Sequence, residues 1–268
     1  MTGGCPPPDR GTGDARVAAG GGLILRPVGD VGWLLEPRVT GDPVGDAATV
    51  LRLAEAVRCG PAGALAVDVV PAAATVLVTG PPARHSELGR LLAGVAARTA
   101  PGDRTAPGVT ADRRPGPAGP ASSVSSVSSV SSVSSAESPG PVDVVLAVRF
   151  DGPDLADVAG LLGLPSAGVV HRVTATVWTV AFTGFAPGFG YLVGGGLAVP
   201  RLDIPRSRVP AGSLGLAGPH AGVYPRASPG GWRLVGTLAD PAPTLFDPAR
   251  NPPALLPPGT RVRFDAAW

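Results

Sequence analysis

A stretch that mixes glycine with aromatic residues, GFAPGFGYLVG at residues 184–194, is the densest unusual pattern in the chain. Glycine loses more backbone entropy on folding than any other residue, so four glycines in an ordinary strand would be costly. The backbone must therefore turn tightly here, either because its amides approach a ligand or because a glycine corner closes a barrel. The residues alone leave both interpretations open.

Three arginines follow closely, within PRLDIPRSRVPAGSLGLAGPHAGVYP at residues 200–225. Arg201, Arg206 and Arg208 each lie near a proline that stiffens the backbone, which suits guanidinium groups aimed at a carboxylate or a phosphate. A solvated loop is the alternative, because loop arginines are commonly exposed. The segment is thus a candidate anion site.

The same segment holds a hydroxyl and an imidazole that could assist proton transfer. Ser213 lies in AGSLG, but the nucleophile-elbow pattern G-x-S-x-G does not occur in the chain, so a Ser-His-Asp hydrolase is not indicated. His220 lies between glycines, where a neutral imidazole could reach a ligand as a general acid or base. An exposed loop histidine is the other interpretation.

All 22 basic side chains are arginine, because the chain contains no lysine. A P-loop needs a lysine at the phosphates, a pyridoxal phosphate enzyme needs one for its Schiff base, and a biotin carrier needs one to biotinylate. These three classes are excluded. If ATP is used, we expect another chain to handle most of it.

No metal site is predicted either. His85, His171 and His220 lack the short spacing that places two ligands on one helical face. Cys5 and Cys59 are too few for a cysteine-based site or a disulfide framework.

Charge and hydropathy exclude two further classes of partner. The formal net charge is +2 and the arginines are spread along the chain, so no electrostatic footprint for nucleic acid is present. No apolar run approaches the roughly 20 residues that span a bilayer, and the first ten residues lack the apolar segment of a signal peptide. We therefore expect a cytoplasmic protein that binds neither nucleic acid nor membrane.

Four segments differ in composition. Residues 1–22 are rich in Gly, Pro and charge, which predicts a disordered tail, and residues 101–141, with the repeat SSVSSVSSVSSVSS, predict a disordered linker. Residues 23–100 indicate a small α+β domain in the order ββαββα. Residues 142–268 hold all six Phe and three of the four Trp, and they predict a mainly-β barrel or closed sandwich.

The predicted elements of the α+β domain are a hairpin, a helix, two β stretches and a second helix. The hairpin turns at Gly29 and Asp30. The first helix covers residues 46–57 with Asp46 as its N-cap. Two β stretches separated at Pro71 then precede a helix in ARHSELGRLLAGVAAR.

In the barrel segment, a strand ends at Phe150 and a short helix follows, with Asp154 as its predicted N-cap. Further strands are predicted where β-branched and aromatic residues alternate with Gly and Pro turns, at TATVWTVAFTG, YLVG, SLGLAG, AGVYP, WRLVGTL and RVRFD.

Four strings in order, GFAPGFGYL, PRLDIPRSRVPAGSLGLAG, GVYPRASPGGWRLVG and LFDP, resemble the allophanate hydrolase subunit 1 family. VDVVPA and FDGPDLADVA extend the resemblance to nearly everything except the tail and the linker. The family includes the B subunit of bacterial 5-oxoprolinase, the sporulation kinase inhibitor and a carboxyltransferase part of urea carboxylase. The resemblance implies an α+β N-terminal domain followed by a cyclophilin-like β-barrel domain.

The resemblance also implies a function as a subunit that is inactive on its own. Such a subunit pairs with a homologous barrel protein of the C type, and a lactam hydrolase subunit completes an enzyme that opens 5-oxoproline to L-glutamate using ATP with Mg. Phosphorylation of the amide oxygen would supply a leaving group, and arginines and backbone amides would stabilise the developing charge. Two alternatives stay open, which are inhibition of a sensor histidine kinase and carboxyl transfer to a urea-like amide.

Carried over residue by residue, the resemblance implies two sets of site residues. The substrate-binding set is Gly188, Phe189, Tyr191, Arg206 and Tyr224. The catalytic set is Arg208, which would face an anionic group, and Ser213. His220 is added to this set because of its position in a glycine-flanked loop, and not because of the resemblance. Two positions depart from the family pattern: His220 and Ala221 stand where relatives usually carry Gln and Thr, and Thr237 replaces a customary Arg. These departures leave a changed substrate open.

Overall fold

The computed structural model describes residues 17–19, 22–98 and 142–268, with side chains over 22–95 and 142–268. The linker predicted at 101–141 lies outside the described residues, and so does most of the predicted tail.

The first part of the chain forms a five-stranded antiparallel sheet with two helices. Its elements are β1 (Val17–Ala19), β2 (Leu23–Val28), β3 (Gly32–Glu36), α1 (Pro43–Arg58), β4 (Asp68–Pro71), β5 (Val76–Thr79) and α2 (His85–Arg98). The strands pair in the order β1-β2-β3-β5-β4. Leu53 of α1 and Leu92 of α2 share one core with Leu35 of the sheet. The hairpin predicted around Gly29 and Asp30 is confirmed by the pairing of β2 with β3.

The start of the sheet differs from the sequence prediction. Residues 17–19 fall within the predicted disordered tail, but they form β1 and pair with residues 23–25 of β2. The free edge of β2 offers backbone donors and acceptors, so pairing there does not depend on an apolar pattern in the added strand.

The start of α1 also differs from the prediction, which places the N-cap at Asp46. The helix begins at Pro43, and Asp42 is its cap, since its carboxylate accepts a hydrogen bond from Gly45 N at 2.9 Å. Asp46 instead accepts from Thr40 N at 2.7 Å and closes the loop before the helix.

Residues 142–268 form a closed barrel with a small ribbon and two helices. The elements are β6 (Val144–Arg149), α3 (Leu155–Leu162), α4 (Ser166–Ala175), β7 (Trp178–Thr183), β8 (Gly190–Val193), β9 (Arg206–Val209), β10 (Ser213–Ala217), β11 (His220–Val223), β12 (Ser228–Gly230), β13 (Arg233–Leu238) and β14 (Arg261–Ala266). The barrel order is β10-β11-β8-β7-β14-β6-β13, and β13 pairs back onto β10. The prediction of a barrel in this segment is confirmed.

Helices α3 and α4 cover part of the barrel. Val158 and Val169 lie in the same core as Trp178 and Phe264. Among the described residues no single helix is long and apolar enough to cross a membrane, although α3 and α4, bent by 88° as a pair, pass that test on length and composition. The strand predicted at TATVWTVAFTG begins later than expected, since its first two residues belong to α4. Within that helix, the hydroxyl of Thr174 donates to Val170 O at 2.9 Å.

Asp154 occupies the N-cap position of α3, as predicted, but its side chain does not cap the helix. The buried carboxylate accepts a hydrogen bond from Leu234 N at 2.7 Å and forms an ion pair with Arg206 Nη2 at 2.6 Å. The predicted capping role is therefore wrong. Asp154 ties the start of α3 to β13 and β9 instead.

The ribbon of β9 and β12 is absent from the predicted strands. Its two strands pair antiparallel outside the barrel. Pro205 and Pro210 flank β9. Proline is tolerated at the ends of strands, so these two prolines mark the limits of a short strand.

The two parts of the chain touch each other through α1. Ala47 lies in one apolar cluster with Ala181 of β7 and Val193 of β8, and Phe182 packs against this cluster. The sheet-and-helix unit therefore lies against the outer face of β7 and β8, and the glycine-aromatic stretch runs from the end of β7 through β8.

Candidate functional site

The side chains of strand β8 point to both faces of the barrel wall. Leu192 fills the barrel interior. Its neighbour Tyr191 faces the outside, because side chains alternate along a strand, and there it packs with Phe189, Tyr224 and Trp232. A second, external core therefore lies between the barrel wall and the loops around it.

The rings on this outer face form what we call the aromatic cluster, which consists of Phe182, Phe185, Phe189, Tyr191, His220, Tyr224 and Trp232. The centroid of Phe189 lies 5.1 Å from that of Tyr191, 5.2 Å from Trp232 and 5.3 Å from Tyr224, all edge to face. Edge-to-face rings at this spacing attract each other beyond their buried area. Phe189 is 1% exposed, so it supports the cluster from within.

Glycines in the barrel wall make room for these rings. A Cβ on Gly222 would lie 2.9 Å from Phe189 Cζ, and a Cβ on Gly215 would lie 3.0 Å from Trp232 Cβ. Real Cβ atoms are rarely found so close to a neighbour. The glycines of β10 and β11 therefore allow aromatic packing that any larger residue would push away.

His220 begins β11 and is half-buried against two rings. Its imidazole centroid lies 5.8 Å from those of Phe182 and Tyr191, edge to face. Burial lowers the pKa of His220 below its ordinary value near 6.5, and the positive charge of Arg201 lowers it further. Both effects favour the neutral imidazole at physiological pH.

Phe185 carries backbone strain at the edge of the aromatic cluster. Its φ is +66°, a left-handed conformation that is rare for an aromatic residue, and its side chain is 60% exposed. The ring contacts Phe189 at 5.4 Å and Tyr224 at 6.2 Å. The rest of the loop holds this exposed ring in place.

A cavity of about 530 Å³ opens beside the aromatic cluster, at the end of the barrel where β6, β11 and β13 finish. This volume is in the range of small-molecule sites. We call it the mouth cavity, and its lining residues are Arg149, Pro187, Ala211, Gly212, Tyr224, Pro225, Arg226, Thr237, Leu238, Asp240, Ala242, Pro243, Thr244, Leu245 and Phe246.

Gly188 sets one wall of the mouth cavity. Its φ is +84°, and a Cβ at this position would lie 2.8 Å from Phe246 Cβ and 3.0 Å from Leu245 O. Glycine is thus required by backbone conformation and by close approach together. Gly188 forms a tight turn next to the cavity wall, and both interpretations of the glycine-aromatic stretch stay predictions.

The three arginines predicted as an anion site have three different environments. Arg206 is held by the buried Asp154, at 2.6 Å. Arg208 is exposed on β9, and its side chain makes no hydrogen bond or ion pair with any residue that the structure describes. Arg201 lies near enough for its charge to act on both His220 and Tyr224. Arg201 and Arg206 both lie near enough for their charges to act on the hydroxyl of Tyr224, and none of the three arginines lines the mouth cavity.

Ser213 and Thr237 face each other across β10 and β13, next to the mouth cavity. Ser213 is buried, and its hydroxyl makes no hydrogen bond within the described part of the chain. Thr237 lines the cavity itself. One of the two positions at which the sequence departs from the family pattern, Thr237, therefore lies in the wall of the pocket.

Two basic residues of the mouth cavity, Arg149 and Arg226, are absent from the predicted site. Arg226 stands in the string GVYPRASPGGWRLVG, so a signal was present in the motif. Arg149 ends β6, and its pairing with Thr237 of β13 brings it to the cavity. That cross-strand register could not be derived from the local sequence.

Two observations bear on metal and nucleotide binding. Within 22–95 and 142–268, no group of three or more His, Cys, Asp or Glu side chains could hold a metal ion. The whole chain also lacks the lysine that a P-loop places at the phosphates, so a nucleotide site of the P-loop type is excluded.

These features define a class of protein: a closed β-barrel with a pocket at one end, preceded by a sheet-and-helix unit that packs on its wall. The chain belongs to the family of the carboxyltransferase domain, subdomain C and D, whose sequence model matches residues 23–256. The family resemblance drawn from the four sequence strings is thus confirmed.

Several curated relatives carry the name of one enzyme subunit. Over 115 residues, the chain is 50% identical to the B subunit of 5-oxoprolinase from Escherichia coli O157:H7 and 44% identical to the B subunit of 5-oxoprolinase from Bacillus subtilis. The matched segment is 42% of this chain, and it spans about half the length of these relatives, 51% and 47%.

Solved structures share the fold over most of the chain. The crystal structure of TTHA0988 covers 89% of this chain and 40% of its own length, with a TM-score of 0.61 and 31% identity. The urea amidolyase of Kluyveromyces lactis covers 91% of this chain and 15% of its own length, with a TM-score of 0.56. Its identity is 15%, which shows the fold alone.

Proposed function

We propose that this chain is a subunit of an ATP-dependent 5-oxoprolinase, which opens the cyclic amide of 5-oxoproline to give L-glutamate. The observation that carries the proposal is the 50% identity to the B subunit of a 5-oxoprolinase over 115 residues. The mouth cavity supports it, because about 530 Å³ of mixed polar and apolar lining accommodates a small ring.

The chain would contribute a binding surface, and other chains would contribute the ATP chemistry. Opening an unstrained lactam needs an activated amide oxygen, and the coupled hydrolysis of ATP supplies that activation. Because the chain has no lysine for a P-loop, we assign ATP with its Mg to the partners, which are a homologous barrel protein of the C type and a lactam hydrolase subunit. On this proposal, the chain alone has no activity.

The two alternatives have less support. The urea amidolyase and the urea carboxylase of Kluyveromyces lactis are each 15% identical to this chain. At that identity their likeness supports a shared fold and does not support a shared substrate. The names of the curated relatives are those of an enzyme subunit, which favours the enzyme role over inhibition of a histidine kinase.

The proposal is tested by reconstitution with the partner subunits from the same source. Glutamate formation from 5-oxoproline and ATP is measured with and without this chain, and ADP release is followed in parallel. We expect glutamate to form when all subunits are present. A well-formed complex that releases ADP without glutamate from 5-oxoproline would point to another cyclic or linear amide.

A further inference from the structure

We propose that the mouth cavity binds a small ligand with a single carboxylate, and that Arg226 holds that carboxylate. This inference rests on the proposed function, because a carboxylate-bearing lactam is the substrate class it names for the cavity. It replaces Arg208 by Arg226 as the residue that faces the anionic group.

Arg226 has the environment that an anion-binding arginine needs. It lines the cavity, it is exposed, and its side chain makes no hydrogen bond or ion pair with the residues that the structure describes. The other guanidinium in the wall, Arg149, already has a carboxylate partner, Asp151, at 3.5 Å. A guanidinium with free donors can form two parallel bonds to a carboxylate, which is the strongest polar contact this lining offers.

The position of Arg226 is also restrained. It follows Tyr224 by two residues, and Pro225 between them fixes its own φ. Tyr224 is buried in the aromatic cluster, and its backbone N donates to Ser213 O at 3.0 Å. The Cα of Arg226 is therefore held at the cavity edge while its side chain remains free to bind.

The acidic residue of the lining limits the charge of the ligand. Asp240 is exposed in the same wall as the two arginines. Its negative charge repels a ligand that carries several negative charges, so one carboxylate matches the wall better than a nucleotide or other polyphosphate does.

The remaining walls suit the rest of a small ring. Pro187, Leu245 and Phe246 present apolar surface, and the hydroxyl of Thr237 makes no hydrogen bond within the described residues. A hydroxyl can donate to a lactam carbonyl or accept from its ring N–H. The cavity thus offers an anion site, an apolar wall and one neutral hydrogen-bonding group.

The test compares two ligands that differ by one carboxylate. Binding of 5-oxoproline and of the neutral lactam 2-pyrrolidinone to the full chain is measured by calorimetry or by NMR shifts, for the wild type, Arg226→Ala and Arg226→Lys. We expect Arg226→Ala to weaken 5-oxoproline binding by about 10- to 100-fold and to leave 2-pyrrolidinone unchanged. Arg226→Lys keeps the positive charge but loses the paired N–H donors of the guanidinium. Its affinity for 5-oxoproline should lie between those of the wild type and Arg226→Ala.

The control is Arg90→Ala, which removes an exposed arginine of α2 and should change neither ligand. Equal affinity of the wild type and Arg226→Ala for 5-oxoproline, or no binding by the wild type at millimolar ligand, overturns the inference.

In the assembled enzyme, Arg226→Ala should raise KM for 5-oxoproline more than Arg208→Ala does. If that enzyme is active but Arg226→Ala leaves KM unchanged, the inference fails and the proposed function stands. If the assembled enzyme is inactive while this chain still binds 5-oxoproline through its carboxylate, the proposed function fails and the inference stands.

Discussion

His220 shows how one residue of the site depends on its neighbours. It is half-buried between Phe182 and Tyr191, and Arg201 adds a positive charge nearby. Each of these features disfavours the imidazolium form, which is why the pKa of His220 is lowered. The consequence is a dependence of stability on pH.

The sign of this dependence follows from linkage. Because the folded pKa lies below the unfolded value near 6.5, the unfolded state binds the proton more tightly, and stability falls as pH drops below about 6.5. We expect the melting temperature of the wild type to fall more steeply between pH 7 and 5 than that of His220→Gln, which cannot titrate. Parallel melting curves for the two proteins over this range would contradict the account.

A second residue-scale prediction concerns the ion pair of Asp154 and Arg206. The Asp154 side chain is 6% exposed, and its removal leaves Leu234 N and the guanidinium without their acceptor. We expect Asp154→Ala to lower the free energy of unfolding by about 1–3 kcal/mol, as measured by urea denaturation. The matched control is Asp157→Ala, since Asp157 is 68% exposed and lies 3.8 Å from Arg233. Its loss should change stability by less than about 0.5 kcal/mol.

The sequence indicated the region of the site better than the roles of its residues. Phe189, Tyr191, His220 and Tyr224 were all selected from motif strings, and the structure brings their rings into contact. The sequence did not distinguish the roles of the arginines, because those roles depend on partners that are distant in the chain. Arg206 lies 52 positions from Asp154, so its ion pair could not be read from local spacing.

At the scale of single elements, glycine positions give a direct test. Gly188 has a φ of +84° and no space for a Cβ, so Gly188→Ala should destabilise the fold by about 1–3 kcal/mol. Gly160, inside α3, has nothing within 4 Å of its Cβ position. Because alanine favours a helix over glycine, Gly160→Ala should stabilise by up to about 1 kcal/mol. Chemical denaturation measures the change in the free energy of unfolding for each variant. Equal changes would contradict the different roles assigned to Gly188 and Gly160.

The elements that the sequence predicted well are those with a strong local signal. The hairpin of β2 and β3 has a turn at Gly29, where φ is +59°, between two apolar runs. The strands of the barrel have β-branched and aromatic alternation. β1 and the ribbon of β9 and β12 have neither, because they are held by backbone pairing with a neighbour. Pairing of that kind leaves no periodic pattern in the strand itself.

At the scale of the whole molecule, α1 joins the two units. Ala47 is 4% exposed and lies between α1 and the barrel wall, whereas Val44, one turn earlier, is 49% exposed. Ala47→Glu would bury a charge at this contact and should destabilise by about 2–4 kcal/mol. Val44→Glu places the same charge in the first turn of the helix, where it is tolerated. Similar thermal unfolding of the two variants would show that the contact is not used in solution.

The contact through α1 also relates the N-terminal unit to the site. Phe182 packs on the Ala47 cluster with one side and stacks on Tyr191 at 4.3 Å. The sequence predicted the two segments and their order, but not this contact, since it joins residues that are far apart in the chain. A change in α1 can therefore reach the aromatic cluster through Phe182.

The most direct test of the proposed role is a titration of this chain into fixed amounts of its partner subunits, with 5-oxoproline and ATP present. We predict no glutamate in the absence of the chain, and a rate that rises with added chain until it saturates at a fixed ratio. Full glutamate formation without the chain, or none at any ratio although the complex assembles, would contradict the account.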